Sequence, residues 1–493
     1  MKRIITLFLA AGLTLGASSA VRAADIAVKG LWDFNFEWSN SSFLENNSSE
    51  DFFKARQRLR TQVDIIASES LRGVLFFEIG DQNWGRASQG ASLGTDGTVV
   101  EVRYSYIDWV VPETELKVRM GLQPLVLPSF VAGSQVLNHD GAGIVLSYTF
   151  DEMVGATLFW NRLENDNGAS LVSRDRNNRA DAFDLMGLTL PLTFEGVKIT
   201  PWGAYARIGR NALSGAHFGD EIDVLASGMT PVGAGRSFGG SDKRNGNAWW
   251  AGVTGEFTFW NPFRLAFDAN YGGVDMGTTR DPVTFLRRGE QPVAHSLDLK
   301  RRGWIASVLA EYKLDALTPG LIFWYGSGDD DDPFNGSERM PVIDGEFTPT
   351  SYGFAGAYGI GTDTMIGDSA VGTWGIVGQL KDITFVEDLQ HTLRVGYYRG
   401  TNDKKMARYA TPYAQLEAPG SNNGLTNAVY LTTKDSAWEV NFDTQCNLYD
   451  DLALFVELGY LRLDLDDNVW GNAVASNTDK NNFKAGVNLR YAF

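Results

Sequence analysis

The chain has 493 residues, of which 44% are apolar and 21% charged, and its formal net charge is −17. That apolar share excludes wholesale disorder. The single cysteine, Cys446, excludes a disulfide framework or a cysteine-built zinc site, and the acidic balance excludes nucleic acid as the main partner, because phosphate binding needs a basic face.

The first 23 residues read as an address. Lys2 and Arg3 precede an almost wholly apolar run from Ile4 to Leu15, and small residues follow up to Ala20. This is the pattern of a secretory signal peptide, with cleavage expected after Ala23 or one residue later. The run falls short of the ~20 residues that a spanning helix needs. Losing Lys2, Arg3 and Arg22 with that segment takes the charge to −20. Residues 24–493 then form a single domain. No later segment approaches a transmembrane helix, so the mature chain is either soluble and exported or crosses a membrane as strands.

From Ile26 onward the pattern has period two. Ile26, Val28, Gly30, Trp32, Phe34, Phe36 and Trp38 share one face, and Lys29, Asp33, Asn35 and Glu37 share the other. Alternate side chains of a strand point to opposite faces, so this is an amphipathic strand. It exceeds the ~5–6 residues common in soluble sheets and suits the ~9–11 of a tilted membrane strand. The same alternation predicts strands near 26–38, 53–67, 72–80, 98–111, 115–123, 142–150, 153–163, 181–190, 196–208, 247–260, 262–272, 302–313, 320–327, 371–381, 390–400, 436–448, 451–463 and 481–493. That is eighteen; strands 181–190 and 371–381 are the least regular, which leaves sixteen open. The connections alternate short and long, and the long ones, such as 124–141 and 328–370, are rich in Gly, Asn, Asp and Ser. Trp38, Trp109, Trp160, Trp260, Tyr312 and Tyr449 lie near strand ends, as interfacial girdles require. Strands cross lipid only when they close without a free edge. The expected fold is therefore an all-β antiparallel transmembrane barrel with short periplasmic turns and long external loops.

In such a barrel the charged face of each strand lines the lumen. Lys54, Arg56, Arg58 and Arg60 share the polar face of 53–67, about 6.6–6.8 Å apart. Parity places Arg103, Lys117 and Arg119 inward as well, and Glu78 is counted with them as pore-lining. A cation facing lipid near the midplane costs about 2–4 kcal/mol, so a run of them belongs inside. There they either bias ion passage or simply neutralise inward carboxylates such as Asp33, Glu37 and Glu101.

Signals for other chemistry are poor. Gly90-Ala91-Ser92-Leu93-Gly94 matches the nucleophile-elbow string but lies in a glycine-rich loop with no helix expected after it. His139, His217, His295 and His391 are scattered without metal-ligand spacing. Asp329, Asp330, Asp331 and Asp332 offer oxygens for a structural calcium ion, although Pro333 breaks the EF-hand order; a solvated acidic loop is the plainer reading. No other cofactor is expected. Cys446 shares the apolar parity of Val440 and Phe442 and reads as an inert thiol.

The chain resembles the trimeric general porins of Gram-negative outer membranes, and looks closest to the homotrimeric porins of sulfate-reducing bacteria. The residues that carry the resemblance are the alternating last strand ending at Phe493, the run Val102-Arg103-Tyr104-Ser105-Tyr106-Ile107-Asp108-Trp109, the run Leu116-Lys117-Val118-Arg119-Met120-Gly121-Leu122-Gln123, and Trp324-Tyr325-Gly326-Ser327-Gly328-Asp329-Asp330. It implies a homotrimer among lipid and lipopolysaccharide, passing ions and small hydrophilic solutes by passive diffusion. It implies that loop 124–141 folds into the lumen as the constriction, with Asp140 as its one acid, and that the barrel-assembly machinery reads Phe493. A substrate-specific channel is the alternative within the class; a barrel enzyme or an adhesin lies outside it.

Overall fold

The structure, a computed structural model, describes residues 24–40, 51–95, 97, 100–165, 182–210, 212, 245–281, 295–332, 334–354, 370–408, 430–471 and 481–493. The expected signal peptide and His217 lie outside them. The strands, in chain order, are β1 (Asp25–Ser39), β2 (Phe52–Ser68), β3 (Leu71–Asn83), β4 (Glu101–Val110), β5 (Leu116–Val126), β6 (Asn138–Thr149), β7 (Gly155–Glu164), β8 (Phe183–Thr189), β9 (Leu192–Phe194), β10 (Val197–Gly209), β11 (Asn245–Phe257), β12 (Phe263–Asp281), β13 (His295–Tyr312), β14 (Thr318–Gly326), β15 (Thr373–Val386), β16 (Leu389–Gly400), β17 (Ser436–Tyr449), β18 (Leu452–Asp464) and β19 (Asn481–Ala492).

Each strand pairs antiparallel with its chain neighbours, and β1 pairs with β19 from Leu31–Ala492 to Ser39–Lys484, which closes the sheet. β8 and β9 are one barrel strand. Thr189 faces Trp202 and Leu192 faces Ile199 on β10, the same register on both sides of Leu190-Pro191. Pro191 has no N–H to give the ladder, so the pairing lapses there without the chain leaving the wall. Leu190 still donates its N–H to the Pro201 carbonyl at 3.0 Å. The barrel thus has eighteen strands, and the sixteen-strand alternative falls. β12 and β13 reach beyond their expected ends at 272 and 302, to Asp281 and His295.

Both described termini lie at the end with the short turns, among them Glu69-Ser70 and Asp450-Asp451. Ile107, Val440, Phe442 and Val487 are exposed on the outer face, while Asp33, Asn35, Glu37, Asp268 and Asn441 are buried on the inner one. Exposed aromatics ring the short-turn rim at Phe150, Trp260, Tyr312, Phe385 and Tyr449, the position of an interfacial girdle. Phe493 joins that rim. Its ring stacks on Tyr491 and lies over Gly30, where an added Cβ would come within 2.5 Å of the ring. Its main chain exchanges two hydrogen bonds with Gly30, at 2.7 and 3.0 Å.

Candidate functional site

The barrel interior is not an empty tube. β4 and β5 pair only up to Ser105–Leu122, whereas β5 and β6 stay paired to Val126–Asn138, and β6 leaves β7 beyond Ala142–Arg162. The top of the β5–β6 hairpin therefore turns off the wall and carries segment 127–137 across the lumen. Gly121 marks the bend. Its φ is +131°, and a Cβ there would lie 2.2 Å from the Ser105 carbonyl oxygen, so only glycine fits.

The segment docks on β12, whose period-two pattern puts Arg264, Asp268 and Asn270 on the inner face. Asp268 accepts from Ser129 Oγ at 2.6 Å and from the main-chain N–H groups of Phe130 and Val131 at 3.1 and 3.3 Å. Arg264 donates to the Phe130 carbonyl and Asn270 to Gln135 Oε1, both at 3.0 Å. The infolded part is thus 127–137; Pro124–Val126 and Asn138–Gly141 of the expected loop 124–141 are still strand.

A second segment, 334–354, also lies inside, against the first. Its N–H groups at Ile343, Glu346 and Thr348 donate to the carbonyls of Val136, Ser134 and Ala132 at 2.8–3.0 Å. Met340, Val342, Ile343, Phe347 and Phe354 are fully buried. Phe347 and Phe354 pack with Tyr398 around Trp324, at ring distances of 5.5–5.9 Å. The tip sits on β17. Glu439 accepts from the N–H groups of Tyr352 and Gly353 at 3.1 and 3.0 Å and from Thr350 Oγ1 at 3.0 Å, and Ser351 Oγ donates to Asp443 at 2.9 Å. A buried carboxylate is tolerated when donors surround it in this way. The Trp324 to Asp330 motif is the root of this segment: Trp324 Nε1 donates to Thr373 Oγ1 at 3.0 Å, and Ser327 Oγ to the Glu338 carbonyl at 2.6 Å. Segment 334–354 thus departs from the external loop expected over 328–370. The large apolar residues at 340–354 are the signal of it in the sequence, since a solvated loop has no use for them.

Together the two segments fill the lumen beside β7–β18 with a mostly apolar core. An open space remains along the inner wall of β2–β6, the side of the barrel on which the expected pore-lining residues cluster. Arg60 Nε lies 2.6 Å from Glu78, Arg103 lies 2.7 Å from Asp140 and 3.7 Å from Glu78, and Arg119 lies 2.6 Å from Asp108. Arg56 and Glu37 are both nearly inaccessible, 3.6 Å apart. Arg58 stands opposite Asp33 in the β1–β2 register, and Lys117 is exposed.

One correction concerns Arg103, which does not share the parity of Arg119. Asp108 is the residue opposite Arg119, and regular alternation would send Arg103 outward with Ser105 and Ile107. A bulge between Phe76–Tyr104 and Phe77–Val102 rescues its position. The guanidinium lies 6.0 and 5.5 Å from the inward rings of Phe76 and Tyr104. Asp140 reaches it because the outer face of the bent hairpin meets the inner face of β4.

Acids come from the second segment. Asp344 Oδ2 is 2.7 Å from His139 Nδ1, and Glu346 pairs with Asn138. Burial, and then the neighbouring Asp344, push the Glu346 carboxyl above its ordinary range.

The four aspartates do not converge. Asp329 accepts from Ser337, Glu338 N and Tyr430, with Arg339 at 3.2 Å. Asp330 accepts from Asp332 N and Asn335, Asp331 pairs with Lys405, and Asp332 accepts from Phe334 N. Among the described residues no three such ligands gather for a metal. The Gly90–Gly94 string follows a single 3-10 turn, Ala87–Gln89, rather than entering a helix. His391 stacks on outward Phe442, and Cys446 pairs in register with Leu389 and Leu454.

No known family model matches the chain, and no curated protein does. Solved structures do match. The outer membrane protein OprD from Pseudomonas aeruginosa aligns over 97% of this chain and 95% of its own, at 12% identity and a TM-score of 0.50. OccAB3 from Acinetobacter baumannii aligns over 95% and 99%, at 9% identity and a TM-score of 0.49. At such identities the first likeness is one of fold, and it does not carry the finer resemblance to the trimeric porins of sulfate reducers. Closure, strand number and the match to OprD agree that the chain has the eighteen-stranded antiparallel barrel of an outer-membrane protein.

Proposed function

We propose that the protein is an outer-membrane porin through which ions and small hydrophilic solutes diffuse passively. The observation that supports this most is the lumen itself: two infolded segments fill one side of it and leave the open part beside a wall of charged side chains. Such a passage removes the desolvation barrier of the bilayer, and charge at its narrow part biases which ions enter. Arg60, Arg103 and Arg119 stand on the wall side, and Asp344 and Glu346 on the facing segment. A dipolar solute would align across them. Reconstitution tests the reading: purified protein in a planar bilayer should give stepwise conductance, and its absence would refute it.

Two infolded segments instead of one favour a second reading, a channel restricted to particular solutes. Liposome swelling with uncharged sugars against amino acids of equal size distinguishes the two. The homotrimer rests on the sequence resemblance, and the native mass in detergent tests it. Export by the signal peptide predicts a mature N-terminus at Ala24 or Asp25; Met1 on protein from the outer membrane would refute it.

A further inference from the structure

The inner row of β13 runs Leu297, Leu299, Arg301, Gly303 and Ile305, and every member is buried. A cation in an apolar row is costly unless something pairs with it. Arg301 is 2% exposed, and the root of the second infolded segment seals it. Arg301 bridges Ser337 in a parallel pairing; the Ser337 N–H donates to the Lys300 carbonyl and the Arg302 N–H to the Ser337 carbonyl, both at 2.9 Å. Gly303 lets the chain pass over the strand, since a Cβ there would lie 2.2 Å from the Glu338 carbonyl oxygen.

The pairing of Arg301 is incomplete. Its Nε donates to the Arg339 main-chain carbonyl at 3.2 Å, and it has no ion pair among the described residues. The charges that act on it are those of Arg339 and Asp329. Asp329 is already engaged: Arg339 Nε lies 3.2 Å from it, and Ser337 Oγ, the Glu338 N–H and Tyr430 Oη donate to it at 2.6, 3.1 and 2.8 Å. The Arg339 side chain is itself 12% exposed, with its guanidinium carbon 5.1 Å from the Tyr430 ring. Two enclosed guanidiniums thus share one carboxylate, which leaves one positive charge in surplus. A guanidinium carries five N–H donors, and those on the Nη atoms of Arg301 have no acceptor among the described residues.

We propose that Arg301 and Arg339 hold a small inorganic anion of halide size, a structural ion that fastens the root of segment 334–354 to β13. One monovalent anion balances the surplus charge, and the burial of Arg301 excludes a bulkier organic acid. The site lies off the open space beside β2–β6 and needs nothing of the porin reading. It makes the fastening of the second infolded segment depend on the anion present.

The test is amide hydrogen exchange, read by mass spectrometry, on the full chain in detergent, in sodium chloride and in sodium gluconate of equal ionic strength. The probes are the N–H groups of Arg302 and Ser337, which bond across the joint. At chloride about ten times its dissociation constant, mass action should slow their exchange about tenfold relative to gluconate. Arg301→Gln should remove that difference, and Arg86→Gln, the same change at an exposed loop residue, should keep it. Crystals of the wild type grown in sodium bromide give a second measurement that needs no variant: an anomalous peak is expected beside the Nη atoms of Arg301. If Arg301→Gln fails to fold, the wild-type exchange and the bromide crystal decide. Exchange indifferent to the anion in wild type, a chloride effect that persists in Arg301→Gln, or no bromide peak at Arg301 would overturn the proposal.

Discussion

Asp268 holds the first infolded segment with four donors and no cation among its described hydrogen bonds: the hydroxyls of Ser129 and Thr254 and the N–H groups of Phe130 and Val131. Asp268→Asn keeps the shape and replaces one acceptor oxygen by an N–H2 donor. The hydroxyls can rotate to suit the new group, but the two main-chain N–H groups cannot, so one of them is left facing a donor. A hydrogen bond to a charged acceptor contributes about 1.5–3 kcal/mol. At ~1.4 kcal/mol per factor of ten, losing one such bond should raise the undocked population of 127–137 about 10- to 150-fold. The barrel itself should survive, because the β11–β12 and β12–β13 ladders do not involve this side chain. Single-channel recording reads the outcome as excess open-channel noise or a second, larger conductance level. Asp151→Asn is the control, since its carboxylate accepts the Met153 and Val154 N–H groups in a short turn outside the lumen. If Asp268→Asn folds and conducts with wild-type amplitude and noise, the docking of this segment does not set the pore.

Replacing Arg56, Arg58 and Arg60 together by Gln should move the reversal potential toward cations, since it removes three positive charges from the inner face within about a Debye length of one another, ~10 Å at 0.1 M salt; an unchanged potential would mean that these charges do not face the ion path. Because the Glu346 carboxyl is held above its usual range, falling pH should neutralise it before ordinary carboxylates. Anion preference should therefore rise on mild acidification in wild type and respond less in Glu346→Gln, as measured by reversal potential against pH. Gly30→Val should lower the yield of folded, heat-modifiable barrel, because its Cβ would lie 2.4 Å from the Arg60 carbonyl oxygen and 2.5 Å from the Phe493 ring. Gly378→Val, with open space around it, should not, and equal yields on a gel would remove Phe493 docking as a closure requirement. Asp329→Asn should raise protease sensitivity around Phe334, whereas calcium chelation should leave the wild type unchanged; a chelator effect equal to the mutation would restore the calcium site.

The wall of the barrel was legible because each strand repeats a rule of period two that an apolar outer face and a polar inner face enforce. Inward Arg56, Arg60 and Arg119 follow from it directly. Arg103 arrives inside through a bulge, which adds a residue that no alternation count anticipates, so its position was reached by a parity that fails. The segment 334–354 was illegible for a different reason. Its buried side chains answer to one another and to distant Trp324, Tyr398 and Glu439, not to a spacing along the chain. The Asp329–Asp332 run shows the same limit, since its donors include Tyr430 and Arg339, far away in sequence. Pro191 misleads in the opposite sense: a proline that reads as a boundary sits within one continuous barrel strand.

The second infolded segment also touches the two ends of the chain's sheet. Tyr352 Oη lies 3.2 Å from Ser39 Oγ on β1, and Lys484 Nζ of β19 donates to the Ser351 carbonyl at 3.0 Å. Ser39 and Lys484 are themselves opposite each other in the β1–β19 pairing. Adjacent residues of one internal loop thus grip both edges of the joint at a single rung. A slip of the last strand by two residues would keep every outer side chain facing lipid, and so would pass unnoticed from outside. It would carry Lys484 a full repeat away from Ser351. The loop acts as a gauge inserted through the joint, accepting one alignment of first and last strand and rejecting those that the lipid-facing pattern alone would allow.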